Sequence, residues 1–259
     1  MRKIDSRLIE PDTKWSARAK IEADKVAAGR KLSECKNIWT EAKERLKKVS
    51  FDKCWYCEVR QNRADDAVDH FRPKSIYPWL AFEIENFRFA CTFCNSVRRN
   101  PTTGQSAGKG DHFPLLAGAM AANVEQLKQE NPVLLDPCRG GDPVLLDFLS
   151  SGQPCAKHPD QDVRRKRAED SIHYYHLNHP AIVEARRQLA LQLKEWIEEA
   201  DDIYCSDDQG SLATQNSFNQ ITACISRSIT PQAEFSVFAR RIVAANRDKP
   251  WVEDLLFCS

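Results

Sequence analysis

Residues 54–95 read CWYCEVRQNRADDAVDHFRPKSIYPWLAFEIENFRFACTFCN, and the Cys-x-x-Cys pairs at the two ends decide how the rest is read. Cys54 and Cys57 form the first pair, Cys91 and Cys94 the second, with residues 58–90, 33 in all, between them. Each short pair pre-orders two thiolates on one side of a tetrahedral ion, so four sulfurs at this spacing predict a closed, structural zinc site. A redox role would need one pair only, at a strand-to-helix junction. Cys35, Cys138, Cys155, Cys205, Cys224 and Cys258 form no such pair and are expected to be free thiols.

Outward from this stretch the character of the chain changes. Residues 14–48 lack proline and are rich in Ala, Lys, Glu and Arg, which predicts one or two helices with Gly29 as a break. Residues 101–160 are crowded with Pro and Gly and predict loops with short strands. A long helix is expected from about 180, with Asn178 as its N-cap and Pro180 in its first turn. Ile182, Leu189, Leu193, Trp196 and Ile197 would make its core face. A further amphipathic helix is expected over 231–246, starting at Pro231. The expected segments are a helical 1–50, a small metal-organised module at 51–115, and a loop-rich then helical 116–259 that offers a partner surface. The fold class expected is α+β, mostly helical.

Composition sets bounds. A 42% apolar, 29% charged chain of 259 residues is an ordinary globular protein able to bury a core. No run approaches a membrane span and residues 1–15 lack the apolar core of a signal peptide, so the expected compartment is the cytoplasm, where cysteines ligate metal or stay reduced. Net charge +1 argues against a generic basic coat for nucleic acid. Charge is unevenly spread, however: residues 1–50 hold 14 Lys/Arg against 8 Asp/Glu, and VRRKR stands at 163–167. Such clusters are usually solvated helix faces, yet a few phosphate contacts are compatible with them.

Between the cysteine pairs lies Asp69-His70, with Asn86 just before the second pair and Asn95 directly after it. Phosphodiester hydrolysis needs a base for water, a divalent cation for the developing charge, and a group that holds the base in the right tautomer. His70 suits the base because its ordinary pKa is near neutrality. Asp69 is a hard oxygen ligand for Mg²⁺ or Mn²⁺, and Asn95 would be held by the zinc staple so that its amide oxygen ligates the same cation. Any one of these residues alone is more often structural. A glycine-rich stretch, GKGDHFP, carries Lys109, Asp111 and His112 and would either fold back over the site or pack Phe113 and Leu115 into the core. Arg72 and Lys74, with Lys109 and His112, are candidates for contacts to a nucleic-acid backbone.

The whole stretch resembles the HNH endonuclease family in its zinc-bearing ββα-metal form. The resemblance implies a metal-dependent endonuclease in which His70 is the general base, Asn86 orients it, Asn95 fills the third position and Asp69 is the metal-binding acid. Asn at the third position makes this an H-N-N pattern. The flanks DHFRPK, GKGDHFPLL, LLDPCRGGDP and SIHYYHLN resemble the PtuB-like HNH nucleases of Septu-type and retron-linked antiphage defence. That further resemblance implies a toxic effector working with an ABC-type (SMC-like) ATPase, PtuA, and sometimes with a retron reverse transcriptase and its RNA–DNA hybrid. DNA is the expected substrate, with RNA or tRNA also compatible. The contrasting expectation is a catalytically silent, zinc-ribbon-like module that bridges protein or nucleic-acid partners. A restriction enzyme of the McrA type would need a base-reading domain, and the C-terminal helices suggest none.

Overall fold

A computed structural model of the chain describes residues 1–61, 66–208 and 210–257. Contacts divide the chain into two units: Met1–Leu146 with Cys155–Pro180, and Asp147–Pro154 with Ala181–Ser259. The expected division at 50 and 115 was one of composition; the four-cysteine segment and its N-terminal flank fall within one unit.

In the first unit, α1 (Thr13–Ala27) begins where the Asp12 carboxylate accepts the Trp15 amide at 2.6 Å, the usual N-cap bond. It stops at Gly29, whose φ of +87° is left-handed backbone that glycine adopts without strain. The expected break is therefore real, but helix does not resume at once. Short 3-10 turns carry Ile38 and Trp39 into the core, and α2 (Lys43–Val49) starts only afterwards. The Trp15 indole donates to the Ile38 carbonyl at 3.0 Å and ties α1 to that turn.

Next come β1 (Asp66–His70) and β2 (Phe87–Cys91), an antiparallel pair in which Asp66 faces Cys91 and His70 faces Phe87. All five residues of β2 are buried, with Phe87 and Phe89 in a core shared with Trp15, Trp39, Leu46 and Trp55. α3 (Thr92–Asn95) is a single turn. A further small hairpin follows, β3 (Arg98–Arg99) with β4 (Ser106–Ala107), and then β5 (Leu146–Phe148) with β6 (Pro154–Ala156), where the chain passes from the first unit to the second and back. α4 (Asp162–Tyr174) then accommodates the VRRKR cluster.

The second unit is helical: α5 (Pro180–Tyr204), α6 (Leu212–Ile229), α7 (Ser236–Ala244) and α8 (Pro250–Phe257). Leu193, Ile197, Ile225, Ile229, Val243 and Trp251 form its core, with Leu189 and Trp196 packed at the edge. The expected face of α5 is thus the one it buries. Asn178 does not cap it, because Asn178 Oδ1 is buried without a hydrogen bond. The helix expected from 231 begins five residues later, since Phe235 sits at φ +50° and interrupts the helical path. α6 and α8 were not anticipated. No helix among the described residues is long and apolar enough to cross a membrane. The fold is α+β and mostly helical, with small hairpins and a buried four-cysteine cluster.

Candidate four-cysteine metal centre beside a buried histidine

The first cysteine pair is a tight knuckle. The Cys54 amide donates to Val59 O at 2.9 Å, the Glu58 amide donates to Cys54 O at 2.9 Å, and Glu58 turns the chain at φ +67°. The Trp55 amide donates to Phe89 O at 2.9 Å, which pins the knuckle to β2. The second pair lies on other elements: Cys91 ends β2 and Cys94 sits in α3. All four are buried, and their sulfurs lie within 4.8 Å of one another.

Cys57 Sγ and Cys91 Sγ are 3.7 Å apart. A disulfide would need about 2.05 Å. The edge of a tetrahedron with Zn–S bonds of about 2.3 Å is about 3.8 Å, so the spacing fits zinc. Burial pushes the Cys57 and Cys94 thiols well up, so a bound dication is what would hold them as thiolates. With four sulfurs and no open position, such a zinc is structural.

Asp69 and His70 are neighbours on β1, and strand alternation sends their side chains to opposite faces. The His70 ring packs edge-on against Trp39 and Phe87, at centroid distances of 5.2 and 5.1 Å. Its Nε2 lies 3.0 Å from Ala81 O. A carbonyl only accepts, so the ring proton resides on Nε2 and Nδ1 keeps its lone pair. Burial pushes the His70 pKa down to about 4, so the ring is neutral at pH 7.

Asn86 does not reach the ring. It clamps the loop that follows: its Oδ1 accepts the Arg72 amide at 2.8 Å, and its Nδ2 donates to Arg72 O at 2.9 Å and to Leu80 O at 3.2 Å. Leu80 precedes Ala81, so Asn86 ties down the residue next to the one whose carbonyl meets His70 Nε2. Asn95, half-buried at the end of α3, accepts the Gly110 amide through its main-chain oxygen at 2.7 Å.

The opposite face carries a closed network. Asp69 Oδ1 accepts from the Lys109 ammonium at 2.9 Å and Oδ2 accepts from Tyr56 Oη at 2.5 Å. Lys109 Nζ also donates to His70 O at 2.7 Å. The two side chains are 4% and 0% exposed. Tyr56 stacks on Tyr175 at 3.9 Å, and burial together with the Asp69 charge holds the Tyr56 hydroxyl protonated. A divalent cation does not fit these donors: both Asp69 oxygens are taken, a buried ammonium occupies the charge position, and Asn95 alone is no site. Among the described residues, the four cysteines are the only cluster of Cys, His, Asp and Glu with metal-binding geometry.

The glycine-rich stretch does fold back. Lys109 N donates to Cys94 O at 2.9 Å, and Gly108 passes so close to α3 at φ +113° that a Cβ would stand 2.1 Å from Ser96 O. Phe113 is buried, as the packing alternative had it, while Leu115 is only partly so. Lys109 is therefore interior and cannot touch a nucleic-acid backbone. Asp111 and His112 are exposed, with the His112 ring 4.8 Å from Tyr174. Arg72 is half-buried, with Nε 2.7 Å from Glu130. Lys74 stands 5.4 Å over the Trp39 ring that borders His70. Tyr56 and the Ala81 carbonyl escaped the sequence reading. Tyr56 lay in view inside CWYC, whereas nothing in a sequence marks a main-chain carbonyl.

No family model matches the chain. Among curated proteins it is 25% identical, over 159 residues, to the Septu protein PtuA of Bacillus mycoides (strain KBAB4). The match takes in 56% of this chain and 20% of that protein, so the chain spans about a fifth of its relative. PtuA is the name that the sequence resemblance gave to a partner, so what the comparison supplies is a distant likeness to part of a Septu protein.

Proposed function

We propose that this chain is an HNH-type phosphodiester hydrolase acting in a Septu-like antiphage system, with a zinc staple holding the hairpin on which His70 is the general base. The observation that carries this reading is the 3.0 Å contact from His70 Nε2 to Ala81 O, which leaves a neutral ring with Nδ1 free to take a proton. Water attacks the phosphorus, Nδ1 takes its proton, the P–O bond breaks, and the leaving oxygen is protonated by solvent. Lys74, which stands over Trp39, would meet the phosphate charge. The Septu assignment is supported by the partial likeness to a Septu protein, and an ATPase partner only by the resemblance of the flanking motifs.

A second reading has its own observation. Asp69, the residue expected to bind cation, is spent on Lys109 and Tyr56, as it would be in a zinc-stapled module that only bridges partners.

The test is cleavage of plasmid, single-stranded DNA and tRNA by the full chain, with and without Mg²⁺, beside His70→Ala. Cleavage that disappears in the folded variant supports the hydrolase and names the substrate. Activity indifferent to His70, or none on any substrate with zinc bound, returns the protein to the bridging reading.

A further inference from the structure

Away from His70 and the zinc centre, the first unit has a cleft that neither uses. One cavity of about 490 Å³ lies between the loop around residues 131–145 and the first turns of α4. A second, of about 250 Å³, adjoins it at Pro132, Arg139 and Asp142 and extends to Phe71 and Arg72. Together they form a groove that starts at the two residues directly after His70 and ends on α4.

Its charge is one-sided. The acids on the wall are already answered: Glu130 by Arg72, Asp136 by a two-pronged bond from Arg88 at 2.8 and 2.7 Å, and Asp142 by a two-pronged bond from Arg167 at 2.9 and 2.7 Å. Arg167 Nε also donates to Pro132 O at 3.1 Å, which locks the wall. That leaves Lys128, Arg139 and Arg164, which have no side-chain hydrogen bond or ion pair among the described residues and line the groove. Arg164 belongs to the VRRKR run and stands one helical turn before the fixed Arg167.

From this geometry we infer that the groove running from Arg72 past Arg139 to Arg164 binds the phosphodiester backbone of a nucleic acid. Paired acids on the walls and free cationic side chains spaced along a groove are features that hold phosphates without reading bases. The near-zero net charge of the chain is then no obstacle, because the excess is local. The inference rests on the hydrolase reading for the class of its ligand, and the groove begins at the residues that follow His70 in sequence, yet it can be measured without cleavage.

The experiment is fluorescence anisotropy of labelled double-stranded DNA, single-stranded DNA and RNA of one sequence across a KCl series. The full chain carries His70→Ala, so that nothing is cut. Arg139→Ala/Arg164→Ala in that background is compared with Lys166→Ala, which removes a cation of α4 that does not line the groove. The double variant should weaken binding roughly tenfold or more, and for duplex DNA should lower the slope of log K against log salt by about 1.8. Lys166→Ala should change little, and the strand type bound most tightly identifies the source of the phosphates. Unchanged binding and slope in the folded double variant, or an equal loss in Lys166→Ala, would overturn the inference. Binding lost with the groove arginines, alongside an absence of His70-dependent cleavage, would keep the groove and sink the hydrolase.

Discussion

Lys109→Met is the substitution whose outcome the structure fixes most tightly. The ammonium is fully buried and donates to Asp69 Oδ1 at 2.9 Å and His70 O at 2.7 Å. Without it, the Asp69 carboxylate keeps only the Tyr56 hydroxyl, and the His70 carbonyl loses a donor. Breaking a buried ion pair from one side costs about 3–5 kcal/mol, because the remaining charge stays in a poor solvent. With a urea slope near 2 kcal/mol/M, the unfolding midpoint should fall by about 2 M. Asp69→Asn added to Lys109→Met removes the orphaned charge while keeping an acceptor for Tyr56, so the double variant should regain most of that loss. Equilibrium urea melts of the four proteins complete the cycle. A single Lys109→Met variant within about 1 kcal/mol of wild type would refute the argument. If that variant also gained tight Mn²⁺ binding, the ammonium would have been a placeholder for a cation.

Purified chain should carry one zinc, and Cys91→Ala should lose it together with on the order of 10 kcal/mol of folding free energy, enough to unfold the first unit. Elemental analysis with thermal melts before and after chelation checks this, and an unshifted melt in zinc-free protein would contradict it. His70 has a folded pKa near 4, against about 6.5 when unfolded. The unfolded state therefore binds the extra proton first, so this group's contribution is intact above about pH 6.5 and up to about 3 kcal/mol is lost as pH falls to 4. An NMR titration in which the His70 ring protonates near 6.5 in folded protein would disprove the burial argument.

What was legible in the sequence, and what was not, follows from the range of each interaction. The four-cysteine cluster could be read because each Cys-x-x-Cys pair is a short local segment with fixed chemistry. The break at Gly29 could be read for a similar reason, since one residue type carries the conformation. Asp69 was recognisable as a special acid, but its partner is 40 residues away in a glycine-rich loop, and no periodicity links the two. α7 starts late because of one left-handed residue, Phe235, that carries no glycine or asparagine signal. The Ser, Thr and Asn content of α6 likewise hides a helix whose stability comes from packing Ile225 and Ile229.

The pairing of Asp69 with Lys109 also sets an order of events during synthesis. A ribosome makes the acid 40 residues before its ammonium, and the second cysteine pair arrives in between. When β1 and β2 have both been made, closing their hairpin would bury a carboxylate whose counter-ion has not yet been built. The Asp69 face of the hairpin therefore reaches its final charge balance only when Lys109 is in place.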